Sequence, residues 1–126
     1  MLKRPSNHET CKKIKDALEA LRAGKFMIGF TKHLSADMDE LNLESEAELV
    51  PLLCVLLGEI DEVGPIECYA GTRPPQRSYE QEILSLELWA YSWPSKRFGK
   101  GMYLKFAFKK DHFVYVDCHP DNPRLD

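Results

Sequence analysis

The residues of this chain best equipped for chemistry crowd into its last third. Tyr103, Lys105, Asp117 and His119 fall at alternate positions of the stretch Lys100–Pro120, KGMYLKFAFKKDHFVYVDCHP. Histidine suits acid–base work near neutrality, since its unperturbed pKa is about 6.5. A phenol can position a substrate or donate a proton, and an ammonium can stabilise a phosphate. Upstream, Trp89, Tyr91 and Trp93 also alternate, and Lys96, Arg97 and Lys100 fill the connection between the two stretches. Rings on which bases stack, set among cations that meet phosphates, are how single-stranded RNA is held. We therefore expect His119, Tyr103 and Lys105 as catalytic candidates. Arg97, Lys96, Lys100, Trp89, Tyr91 and Trp93 are the candidate RNA contacts, with Tyr115 beside them. The same pattern has a structural reading, an aromatic sheet face covered by a helix or a second subunit.

Other motifs carry less. Asp117-Cys118-His119 supplies only two ligands to one strand face, too few for a metal. His8, His33 and His112 are remote in sequence. Cys118 and His119 point to opposite faces of a strand, so they make no nucleophile–base pair. His119-Pro120-Asp121 matches the loop triplet of J-domains, but that triplet lies between helices and here it follows a strand. Gly99-Lys100-Gly101 lacks the helix that a phosphate-binding loop precedes. No metal and no cofactor is expected.

Positioning these groups requires strands. Met102, Leu104, Phe106 and Phe108 alternate with Tyr103, Lys105, Ala107 and Lys109, which puts the two sets on opposite sheet faces. The turn of the hairpin is Lys110-Asp111, with or without His112. A three-residue loop keeps Val114, Val116 and Cys118 with the apolar set and is preferred. A two-residue loop shifts the pairing by one and swaps the partners' faces. With the longer loop, Tyr103 lies opposite His119.

The rest of the chain predicts a helical layer. Ser6 and Glu9 have capping-box spacing, so a helix starts near Asn7 and runs to Gly24, burying Cys11, Ile14, Leu18 and Leu21. Phe26–Phe30 reads as a strand, and a short helix carries Leu34, Met38 and Leu41. Ser45–Val50 reads as a loose turn before an apolar central helix from Pro51 to Ile60, in which Gly58 would admit a close neighbour. Asp61–Gly64 is expected as a turn and Ile66–Tyr69 as a short strand. Gly71–Gln76, GTRPPQ, is expected as a mobile loop. Glu82–Trp93 reads as a strand with Leu84, Leu86, Leu88 and Ala90 on one face. Met1–Pro5 and Asp121–Asp126 are expected to be disordered. Helices first and antiparallel strands later give a single α+β domain over residues 1–126, with N-terminal helices on one face of a 3–5-stranded, mainly antiparallel sheet that ends in a C-terminal β-hairpin.

Composition bounds the partners. The 126 residues are 44% apolar and 29% charged, with a net charge of -3, ordinary for one globular domain and without the positive excess that duplex DNA demands. Cys11, Cys54, Cys68 and Cys118 are scattered and read as reduced thiols of a cytoplasmic protein. The first residues hold no apolar segment of a secretion signal, and the longest apolar run, Leu49–Leu57, is too short to span a membrane.

Several strings, in order, resemble the MqsR family of bacterial toxin–antitoxin ribonucleases. Leu18–Lys25 resembles the end of its first helix. Leu41-Asn42-Leu43 and Val55-Leu56-Leu57-Gly58 resemble its L-G-L and V-I-I-G-L, and Glu67-Cys68-Tyr69 its D-F-Y. Trp89 to Pro94 resembles W-Q-D-V-Y-x-P, and Met102-Tyr103-Leu104-Lys105 matches V-Y-L-K. The likeness covers roughly Lys13 to His119. It implies an α+β, metal-independent endoribonuclease that acts on single-stranded RNA and is neutralised by a protein antitoxin. Tyr103 matches the family's catalytic tyrosine. A family lysine falls on Ala70, a glutamine on Ala90 and a second lysine near His119, so the Ala70 and Ala90 functions must come from elsewhere, with Arg73 or Arg77 nearest. The alternative is a non-catalytic accessory protein that dimerises through the Trp89, Tyr91 and Trp93 face.

Overall fold

The computed structural model describes residues 6–29, 31–71 and 75–121. The expectations for Met1–Pro5, for residues 122–126 of the tail, for Phe30 and for residues 72–74 of the 71–76 loop, Arg73 among them, lie outside the described residues.

The first helix, α1 (Asn7–Arg22), starts where its capping box places it: the Glu9 N–H donates to Ser6 Oγ at 3.1 Å. Ile14, Ala17, Ala20 and Leu21 form its buried stripe, with Cys11 and Leu18 half-buried at the margin. Strand β1 (Phe26–Ile28) follows, then α2 (Leu34–Glu40). The central helix α3 (Leu49–Val63) is longer at both ends than its sequence suggests. Pro51 is tolerated because it is the third residue of the first turn, where its missing N–H breaks no helical bond. The helix runs through the expected turn at Asp61 and stops at Gly64, whose φ is 121°. Leu49, Leu52, Leu53, Leu56, Leu57 and Ile60 are buried, whereas Val55 is 47% exposed and nothing approaches Gly58. Residues Pro65–Cys68 form a short helix, α4, in place of the expected strand; Pro65 suits its first position.

The sheet has the order β1-β4-β3-β2, completed by β2 (Trp89–Ser95), β3 (Lys100–Lys109) and β4 (His112–Pro120). β1 is parallel to β4 and the other pairs are antiparallel. The fold is α+β, with the helices on one face. Residues 82–88 do not extend β2. With residues 76–80 they form an irregular hairpin, in which the Leu88 N–H donates to Gln76 O and the Ser78 N–H to Leu86 O. This segment lies on the other sheet face. There Ile83, Leu86 and Leu88 pack on Ala107, Val114 and Val116 as a second small core, while Leu84 is exposed.

The β3–β4 loop has two residues, not three. Lys109 pairs with His112, and Lys110 and Asp111 have φ of 51° and 34°, the left-handed pair that a type I′ turn requires. Phe113 and Tyr115 therefore join Phe106 in the main core, and Val114 and Val116 face the other way. A bulge then restores the parity. Phe106 pairs with Tyr115 but Lys105 pairs with Asp117, which leaves Val116 unpaired. From there on Cys118 faces the helices, with Asp117 and His119 on the outer face. Tyr103 is opposite His119 after all.

All four cysteines are free thiols, Cys68 and Cys118 buried and Cys11 and Cys54 half-buried. No helix among the described residues is long and apolar enough to cross a membrane.

Candidate functional site

β1 covers β4 only at Phe113–Tyr115. Beyond it, the edge of β4 is closed by α2, whose Asp37 Oδ2 accepts from the Cys118 N–H at 3.1 Å and from the Tyr115 hydroxyl at 2.7 Å. Burial pushes the Asp37 carboxyl above its ordinary pKa, and these two donors only partly offset it. This attachment fixes the start of α2, and with it His33, beside the outer face of β4. His33 Nδ1 lies 3.4 Å from Asp117 Oδ1, and Lys105 Nζ lies 3.6 Å from Asp117 Oδ2. A carboxylate oxygen can only accept, so this contact puts the His33 proton on Nδ1 and the ring's lone pair on Nε2.

Two residues further along β4, about 7 Å on at strand rise, His119 and Tyr103 stack, their ring centroids 5.2 Å apart. His119 Nδ1 is 2.9 Å from Pro120 O. The carbonyl again fixes the proton on Nδ1 and leaves the lone pair on Nε2. Burial, then the charges of Asp117 and Asp121, push the Tyr103 hydroxyl up to about 12, so it is a donor at neutral pH. Histidine, carboxylate, lysine, tyrosine and histidine thus follow one another along a single sheet face.

The lower half of that row opens into a cleft of about 340 Å³, near the small end of ligand sites. Its floor is Lys105, Val116 and Asp117. Lys32 and His33 form one wall, and Gln76, Arg77 and Tyr79 the other. The walls are tied together where the Thr31 hydroxyl meets the Glu82 carboxylate at 3.4 Å. Arg77 is held in place by its bond to Ser85 O at 2.7 Å. A second cleft, between α1 and the hairpin tip, is lined by two lysines: Lys25 pairs with Asp111 across it at 2.9 Å, and Lys13 lies over the Trp89 and Phe108 rings.

Of the residues singled out from sequence, Tyr103, Lys105 and His119 come together. Trp89, Tyr91 and Trp93 do not join them. β2 turns these rings toward the helices, where they are at most 3% exposed, and Tyr115 is buried with them. The Tyr91 hydroxyl donates to Thr10 O at 3.4 Å, and Trp93 Nε1 donates to Glu59 Oε1 at 2.9 Å. The base-stacking and dimer-face expectations for these residues are therefore corrected: α1 and α3 cover this face. The loop cations also fall elsewhere. Lys96 pairs with Glu62 on α3 at 2.7 Å, and Arg97 borders Leu43, Pro51 and Val55 on the helix side. Lys100 is exposed and has the parity of Met102, away from the cleft.

Sequence reasoning places Asp117 on the face of Tyr103 and Lys105 without a role, and misses His33, Lys32 and Tyr79 as members of the same site. Their signal is faint, because 84 residues separate His33 from Asp117. Comparison with protein-family models, curated proteins and solved structures finds no match to this chain. The four positions singled out by resemblance do lie close in register. The Ala70 N–H donates to Ala90 O, Ala90 pairs with Lys105, and Lys105 is two residues from Tyr103, which pairs with His119.

Proposed function

We propose that this chain is a metal-independent endoribonuclease of the bacterial toxin–antitoxin type, acting on single-stranded RNA. The observation that carries the reading is the row His33, Asp117, Lys105, Tyr103 and His119 on one sheet face. It holds two imidazoles with defined tautomers on either side of a lysine. In the reaction, one imidazole takes the proton of a ribose 2′-hydroxyl. The 2′-oxygen attacks the adjacent phosphorus while Lys105 stabilises the equatorial oxygens. The bond to the 5′-oxygen breaks, and that oxygen receives a proton from Tyr103 or from the other ring, which for this step must be the imidazolium, protonated on Nε2 as well as Nδ1. The products are a 2′,3′-cyclic phosphate and a 5′-hydroxyl. The cations of the cleft supply what Ala70 and Ala90 cannot. Such an activity calls for a neutralising protein antitoxin as partner.

The test is cleavage of an unstructured RNA oligonucleotide by purified protein in excess EDTA, with the ends identified by mass. His119→Ala and His33→Ala should each slow cleavage by about 10²–10⁴-fold. A 2′-deoxy sugar at the scissile position should block it. Loss of activity in chelator, or cleavage of the deoxy substrate, excludes the mechanism. A folded preparation that cuts no RNA leaves a non-catalytic interaction protein.

A further inference from the structure

Tyr79 is 89% exposed, and every other described aromatic side chain is at least partly buried. A lone exposed ring is ordinary, but this one has unusual supports. It lines the same cleft as His33, Lys105 and Asp117. Its backbone is pinned on both sides. The preceding Ser78 is buried, donates its N–H to Leu86 O at 3.1 Å, accepts from the Ser85 N–H at 2.9 Å and bonds the Glu80 N–H through its hydroxyl at 3.1 Å. Cations stand on both sides, Lys32 across the cleft and, on the same wall, Arg77, which also pairs with Glu87 at 3.7 Å on the exposed surface. Glu80 and Asp117 also line the cleft, which keeps polyanion binding modest.

Resting on the ribonuclease reading, we infer that Tyr79 is the platform on which one unpaired base of the substrate stacks, while Lys32, Arg77 and Lys105 meet the flanking phosphates. The ring is carried on an anchored backbone, so stacking orders little that is not ordered before binding. Every base has a π face, so the platform selects for an unpaired nucleotide and not for a particular base. The cleft has room for one such nucleotide and not for a duplex. Tyr79 touches no reacting atom in this arrangement. It is a positioning residue, and its loss raises KM with kcat held.

The experiment measures binding of a fluorescein-labelled single-stranded oligouridylate by anisotropy, together with cleavage of the same RNA. Tyr79→Ala should weaken binding by about 5- to 150-fold. Tyr79→Phe should restore it, because the ring stacks without the hydroxyl. An abasic site moved along the oligomer should weaken binding to the wild-type chain at one position and leave Tyr79→Ala unaffected there. Wild-type binding and cutting that Tyr79→Ala does not alter overturn the platform and leave the ribonuclease standing. A kcat loss with unchanged KM also overturns it. A wild-type chain that binds no RNA overturns both. At 89% exposure the substitution has no core to disturb, and an unchanged melting temperature confirms that binding is read on a folded protein.

Discussion

The rings of Tyr103 and His119 stack across the β3–β4 ladder at 5.2 Å, with 26° between their planes. The stack and the Nδ1 bond to Pro120 O together hold the imidazole in one orientation and one tautomer. The phenol beside it is raised to about 12, first by burial and then by Asp117 and Asp121. A tyrosinate absorbance titration that compares the wild-type chain with Tyr103→Phe should therefore show their difference only near pH 12. A difference appearing near the ordinary value of 10 would mean that the ring is open to solvent and poorly placed to donate. In cleavage assays Tyr103→Phe and His119→Ala together should lose less than the product of their separate effects, because both groups serve one transition state.

The unpaired Val116 explains why Tyr103 and His119 meet despite a two-residue turn. Tyr115 faces the core, Val116 and Asp117 face outward, and Cys118 faces the core again. Removing Val116 leaves a strictly alternating strand with Asp117 and His119 still outward. The deletion variant should fold cooperatively, less stable by about 1.5–3 kcal/mol for the lost burial, and should keep the proton contacts between Tyr103 and His119 by NMR. A molten or unfolded product would mean that the bulge itself, and not the alternation, carries the fold.

Gly29 couples the small second core to the cleft wall. A methyl group there would run into Val114 Cγ1, Ile83 Cγ2 and the Tyr115 carbonyl, while the Gly29 N–H donates to that same carbonyl at 2.8 Å. Gly29→Ala should cost about 1–3 kcal/mol by overpacking. It should also displace the Thr31–His33 wall, so His33 function falls with stability. Denaturant titration and RNA cleavage on the same sample check both. A variant of wild-type stability would show that β1 lies less tightly on the Ile83 turn.

The layer order is legible because it rests on local rules. The Ser6/Glu9 cap, the Gly24 stop and the apolar run of α3 each announce themselves within a few residues. Leu56 is fully buried as that run predicts, and Leu56→Ala should cost about 2–5 kcal/mol in a denaturant titration. The hairpin loop is hard to read because Lys-Asp lacks the Asn-Gly signal of a type I′ turn, and a bulge has no period of its own. Trp89, Tyr91 and Trp93 alternate equally well on either face. What decides is Glu59, which collects Trp93 Nε1, Ser95 Oγ and the Arg97 N–H from across α3. Burial pushes the Glu59 carboxyl up, but those donors together hold it below its ordinary range. The His33–Asp117 pairing depends on where α2 closes the β4 edge, which no window of sequence reports.

Asp37 offers the clearest pH signature, because its two donors converge on one oxygen. Tyr115 OH and Cys118 N–H both end on Oδ2. Asparagine keeps an oxygen there and sheds the buried charge. The folded-state pKa of Asp37 is raised above the ordinary value of 3.8, chiefly by burial. A raised carboxyl contributes stability that is fully present below the unfolded pKa and lost as pH rises through the folded pKa. Against the Asp37→Asn variant, which does not titrate at this position, the wild-type chain should therefore lose ground from about pH 4 upward and level off once the carboxylate is fully ionised. Urea titrations of wild type and Asp37→Asn over this range should show the variant gaining relative to wild type as pH rises. Asp37→Ala should be destabilised at every pH, since it strands the Cys118 N–H and the Tyr115 hydroxyl, at about 1–3 kcal/mol for each buried group. A stability gap between wild type and Asp37→Asn that stays constant with pH, or moves in favour of wild type as pH rises, would sink this account. So would an Asp37→Asn chain as unstable as Asp37→Ala, because Oδ2 would then be acting through its charge and not as an acceptor.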